Sequence, residues 1–154
     1  VTVLGANRPS KILLIHGHAP DRTKLQKWLR DNKLADPVVM AQEFTAGQTL
    51  PEKFEALASE ADAAIALATP DDLASIASET DVKRLRARQN VWVEVGWFWG
   101  RLGRNRVLLL VRGNVEIPSD LDGIEYQRYK RSVLESKGVI RRFLLEASKR
   151  RQAN

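Results

Sequence analysis

The chain contains no cysteine. A disulfide framework, a thiolate nucleophile and a cysteine zinc site are therefore excluded. Histidine occurs only twice, so a histidine-rich metal site is excluded too, and no metal is expected. No apolar run approaches the ~20 residues needed to span a bilayer, and no signal peptide opens the sequence. These absences point to a soluble protein in a reducing, cytoplasmic setting with no membrane partner. Three enzyme motifs are missing as well. There is no GxGxxG, no P-loop and no serine nucleophile elbow, so dehydrogenase and kinase readings lose their usual support.

What is present is ordinary globular composition. The 154 residues are 44% hydrophobic and 29% charged, which suits one domain with its own core. The sequence starts at Val1 without methionine, as expected of a domain cut from a longer protein. Residues 1–10 read as a linker remnant and residues 11–150 as the domain. The net charge of +6 is unevenly placed. Residues 128–154 hold nine Lys or Arg against two Asp or Glu, so the rest of the chain nets minus one. A nucleic-acid groove more often spreads its charge over a face with interleaved aromatics. The basic segment reads as a solvated helix and tail, and nucleic acid is not an expected partner.

Strand-like and helix-like segments alternate. Residues 11–16 (KILLIH), 37–40 (PVVM), 63–68 (AAIALA) and 106–111 (RVLLLV) are short apolar runs, and 123–127 (GIEYQ) is a weaker fifth. Helical spacing marks 21–33, 51–59, 88–102 and 133–148, the last with Ile140, Phe143, Leu144 and Ala147 on one stripe. Residues 42–50 read as a loop, and 71–81 are polar without a clear period. Continuous apolar strands imply a sheet covered on both faces. Alternation with helices implies βαβ units. The expected fold is α/β: a flavodoxin-like, five-stranded parallel sheet in the order 2-1-3-4-5, flanked by helices.

In such a sheet ligands bind beyond the carboxyl ends of the strands, where the order reverses. Strand one ends in His16-Gly17-His18, and Gly17 would let a ligand approach the main chain. Strand three ends in Thr69-Pro70-Asp71-Asp72. These residues read either as a helix cap or as a carboxylate that fixes a ribose hydroxyl or orients a neighbouring loop. Residues 90–100 (NVWVEVGWFWG) form a nearly all-apolar helix with one carboxylate, Glu94. An unpaired ionised carboxylate there costs several kcal/mol. Glu94 must be paired, protonated or at a wet cleft. Arg101, seven residues on, offers a structural pair; the alternative is a catalytic carboxylate with a raised pKa. Asn90 and Trp97 share its face. Gly96 and Gly100 would allow close packing at a cost in helix propensity of ~1 kcal/mol each.

Six ordered segments, 12–18, 47–54, 67–72, 86–103, 106–113 and 116–126, carry a resemblance. Together they are similar to the bacterial TIR-like domain once labelled "predicted nucleotide-binding". That domain occurs in anti-phage effectors of the Pycsar and CBASS type, TIR–STING fusions among them. The resemblance implies a TIR fold and NAD+ glycohydrolase activity, with NAD+ as substrate rather than cofactor and possible cyclisation. It places the family's catalytic glutamate at Glu94. It makes residues 42–50 the mobile BB loop. It implies partners as well: other TIR domains of the same protein in a homo-oligomer, and a cyclic-nucleotide sensor domain elsewhere in the chain. Around Glu94 the candidate substrate-binding residues are His16, Gly17, His18, Phe44, Asp72, Arg88, Asn90 and Trp97. Phe44 or Trp97 would stack on a ring, and His16, His18 and Arg88 would meet the pyrophosphate. The alternative reading is a non-catalytic self-association module in which Glu94 is structural.

Overall fold

The computed structural model describes residues 9–39 and 47–153. Phe44, with most of the expected BB loop, lies outside the described residues. Strands β1 (Lys11–Ile15), β2 (Asp36–Val39), β3 (Ala63–Ala68), β6 (Val107–Arg112) and β7 (Gln127–Tyr129) form one sheet in the order β2-β1-β3-β6-β7. Every neighbouring pair in it is parallel. This is the expected 2-1-3-4-5 order, with a separate antiparallel hairpin, β4 (Asp72–Ala74) and β5 (Arg84–Arg86), inserted after β3.

The period-two alternation of strand side chains splits the core into two layers. Leu13, Ile15, Ala64, Ala66, Leu109 and Val111 face α2 (Leu50–Glu60) and α3 (Gln89–Leu102). Ile12, Leu14, Ile65, Leu67 and Leu110 face α1 (Asp21–Asp31) and α4 (Lys137–Ala153). β3 is central and wholly buried, so a continuous apolar run is what its position demands.

Three sequence expectations shift. The segment after β3 enters a hairpin rather than a helix, so Thr69-Pro70-Asp71-Asp72 is not a helix cap. The fifth strand begins at Gln127 instead of Gly123. Gly123 has φ +86 and Ile124 N–H still bonds the Leu121 carbonyl at 3.1 Å, so the chain is turning there. The last helix is preceded by a 3-10 turn, Val133–Ser136. Glu135 accepts from the N–H groups of Lys130, Arg131 and Ser132 at 2.8–3.0 Å. Those bonds favour the charged form and draw its carboxyl down to about 2. The expected stripe of α4 is in place: Ile140, Leu144 and Ala147 are buried.

The expected close packing at Gly96 and Gly100 is absent among the described residues. Beyond the chain neighbours and the backbone of α3 itself, a Cβ at either position meets no atom within 4 Å. Both lie inside α3, where glycine is the poorer helix former. Gly96→Ala and Gly100→Ala should each raise stability by about 0.5–1 kcal/mol, read as a higher urea midpoint at unchanged m value.

Candidate active site

Parallel crossovers bring three segments to the carboxyl edge of the sheet: the turn after β1, the turn after β3 and the start of α3. α3 starts immediately after the hairpin. Arg88 is its N-cap residue, with extended backbone (φ −57, ψ 144), and its carbonyl accepts from Val91 N–H at 3.0 Å. Glu94 follows in the second turn. It is half-buried, and burial pushes its carboxyl from an ordinary 4.5 up to about 7. No hydrogen bond or ion pair reaches its carboxylate among the described residues. The structural pair with Arg101 does not form, because the Arg101 guanidinium bonds Glu55 Oε2 at 3.4 Å, bridging α3 to α2. A carboxyl whose pKa is raised toward 7 by burial, with no partner, marks a candidate acid–base or charge-stabilising site.

The other expected site residues distribute as follows. Trp97 is half-buried in an aromatic cluster, 5.2 Å from Phe54 and 4.9 Å from Phe98 between ring centroids. The cluster joins α2 to α3 beside Glu94. Arg88 is half-buried and Asn90 exposed. His16 is half-buried, with Nδ1 2.7 Å from the Gly17 carbonyl. That spacing assigns the proton to Nδ1. Burial lowers the His16 pKa below its usual 6.5, so the ring is neutral at pH 7. His18 is exposed, as is Asp72, which opens β4 opposite Arg86.

The residue that sequence reasoning left unselected is Asp71. Its Oδ2 accepts from Thr69 Oγ1 at 2.8 Å and its Oδ1 from Ala19 N–H at 3.2 Å. The same carboxylate lies against Gly17, where any Cβ would overlap it. Gly17 is therefore required, for space, by Asp71. The hairpin is anchored on its far side by Arg86, which forks onto Glu116 at 3.1 and 3.4 Å. Arg112, at the end of β6, bonds the buried Asp21 at 2.9 Å. Several C-terminal cations are engaged in packing: Lys137 and Arg141 cover the Trp28 ring at 5.8 and 5.4 Å, and Arg150 bonds the Asn105 carbonyl at 2.8 Å.

A five-stranded parallel sheet in this order, flanked by helices, is a flavodoxin-like α/β architecture of the kind TIR domains adopt. The TIR domain of the Toll-related receptor TRR-2 from Hydra magnipapillata superposes with a TM-score of 0.58, covering 90% of this chain and 97% of that one at 13% identity. At that identity the likeness concerns the fold alone.

The chain belongs to the CAP12/Pycsar effector protein TIR domain family, whose model matches residues 11–131. It is 43% identical over 117 residues to the uncharacterized protein YuaY of Escherichia coli K12, across 75% of this chain and 38% of that protein. It is 44% identical over 89 residues to the Pycsar effector protein PaPycTIR of Pseudomonas aeruginosa, across 56% of this chain and 28% of that one. The chain thus spans little more than a third of the first relative and less than a third of the second. Among the described residues no helix is long and apolar enough to cross a membrane.

Proposed function

We propose that this domain cleaves the nicotinamide–ribose bond of NAD+ as the effector module of an anti-phage protein. Glu94 is its catalytic carboxylate. The observation that carries the reading is the half-buried, unpartnered Glu94 on α3, inside the segment that places the chain in its family.

The chemistry follows from charge. When the N-glycosidic bond breaks, its electron pair goes to the pyridinium nitrogen and nicotinamide leaves neutral. No strong general acid is needed. Positive charge develops on the ribose, and a nearby carboxylate stabilises that oxocarbenium-like state. Water then bonds the anomeric carbon and releases a proton, giving ADP-ribose. Capture by the adenine of the same molecule gives a cyclic product instead. One carboxylate suffices where ordinary glycosidases use two.

Assembly of several such domains, driven by a sensor domain that binds a cyclic nucleotide, switches the site on. The test is nicotinamide release from NAD+ at low and high protein density, beside Glu94→Gln. Release by the wild type that rises steeply with density and is lost in Glu94→Gln supports the reading. Full activity in the glutamine variant ends it. No release at any density, in this domain and in the full-length protein with cyclic nucleotides, leaves the self-association module.

A further inference from the structure

We infer that Asp71 is the positioning residue of the site, a staple that fixes the β1 turn against the β3 turn across the crevice where the sheet order reverses. The inference rests on the NAD+ reading for its catalytic consequence but not for its geometry. From β1 the chain moves outward to β2, then crosses back to β3. The crevice between β1 and β3 is thus the switch point at which open α/β sheets place ligands. Two turns border it, and nothing in the strand ladders holds those turns to each other.

Asp71 supplies the missing connection. Its backbone N–H bonds the Thr69 carbonyl at 2.8 Å, and it also lies 3.2 Å from the Arg86 carbonyl at the end of the hairpin. The peptide is therefore clamped before the side chain is considered. One carboxylate oxygen then takes the Thr69 hydroxyl and the other the Ala19 N–H, 52 residues away in sequence. Bonds to a charged acceptor are about twice as strong as neutral ones. The carboxylate also rests on Gly17, between His16 and His18. Gly17 is not among the glycines with positive φ, so its lack of a side chain serves the contact and not the backbone. Asp71 thereby fixes the stretch of backbone that carries both imidazoles. Asp72, one residue on, is exposed and has no part in the staple.

The chemistry of the staple separates three variants. Asp71→Ala removes it. Gly17→Ala expels the carboxylate and breaks the same bonds from the other side. Asp71→Asn keeps the shape: its carbonyl accepts from Ala19, and its amide donates to the Thr69 hydroxyl, which can turn to accept. Steady-state NAD+ cleavage should show kcat/KM lower by about tenfold or more in Asp71→Ala and Gly17→Ala, with KM carrying the larger share. Asp71→Asn should recover most of the loss. The double variant Gly17→Ala/Asp71→Ala should be no worse than Asp71→Ala, since both changes break the same interaction.

Amide exchange at Ala19 reads the staple without any turnover. Protection should fall in Asp71→Ala and return in Asp71→Asn. A folded Asp71→Ala with kcat/KM within twofold of wild type overturns the positioning role. An Ala19 amide equally protected in Asp71→Ala overturns the staple itself. If the wild type cleaves no NAD+, the activity reading fails, while Ala19 exchange still decides whether the staple exists.

Discussion

Glu94→Gln should abolish nicotinamide release and make the folded domain more stable at neutral pH. The activity loss follows from charge. A neutral amide of the same shape cannot stabilise a developing ribose cation, and deleting one preorganised electrostatic group typically costs about 10²–10³ in rate. The stability gain follows from linkage. Burial raises the Glu94 carboxyl from 4.5 to about 7, so the folded state binds the proton more tightly than the unfolded chain does. Wild-type stability therefore falls as pH rises from about 4.5 to about 7 and stays reduced above that.

Fully expressed, the shift corresponds to about 3 kcal/mol. The side chain is half-exposed, and solvent screening reduces this to about 1–2 kcal/mol. The glutamine variant lacks the penalty. Its melting temperature should match wild type at pH 4 and exceed it at pH 8 by several degrees, at roughly 2–4 °C per kcal/mol for a chain of this size. A paired Glu94 would predict the opposite sign, because removing a paired carboxylate lowers the melting temperature. Calorimetry at two pH values thus tests whether Glu94 is buried without a partner, and nicotinamide release tests whether it catalyses. The wild-type rate, in turn, should rise with pH through about 7 as Glu94 ionises.

The parts legible in the sequence are those whose signal is repeated along the chain. Four sheet strands announce themselves because both faces are covered, and β3 reads AAIALA with every residue buried. The hairpin is illegible for the converse reason. Its strands are three residues long, and its paired Leu73 and Leu85 are 64% and 43% exposed, so no alternation marks an inner face. The fifth strand is misplaced by a few residues because GIEYQ looks apolar, yet the buried aromatic of that edge is Tyr129, while Tyr126 is exposed.

Glu94 stands out as the lone carboxylate of an apolar helix. Its freedom from Arg101 does not, since the competing partner, Glu55, lies 46 residues away in sequence. Asp71 and Asp72 are adjacent and chemically identical, and only the chain's path after β3 decides which one reaches Gly17. The reason for Gly17, space for the Asp71 carboxylate rather than a positive φ or a ligand's approach, becomes visible only in the fold.

Arg112→Ala should be among the most destabilising single changes in the domain. Asp21 sits in the first turn of α1 and is only 1% exposed. Its ion pair with Arg112 spans 91 residues of sequence and ties the start of α1 to the end of β6. Tyr129 packs beside it, and burial, followed by the Asp21 charge, holds that phenol protonated. Removing Arg112 leaves the carboxylate buried without its partner, a change that typically costs 3–5 kcal/mol. The Arg112 side chain is 32% exposed and water enters where it stood, so the lower end, about 3 kcal/mol, is expected.

On a domain of ordinary stability, ~5–15 kcal/mol, that is a large fraction of the total. The urea midpoint should drop accordingly. The pair need not be a net stabiliser of the fold. Replacing both members by apolar residues removes two desolvation penalties along with the attraction. Arg112→Met/Asp21→Leu should therefore lose less stability than Arg112→Met alone, although the leucine forgoes the favourable placement of an acid at a helix N-terminus. A double variant worse than the sum of its singles would show that Arg112 and Asp21 each hold something besides each other. An Arg112→Ala protein within about 0.5 kcal/mol of wild type, the range of ordinary surface substitutions, would mean that water already solvates Asp21. The pair would then hold the carboxyl edge of the sheet in register without stabilising it.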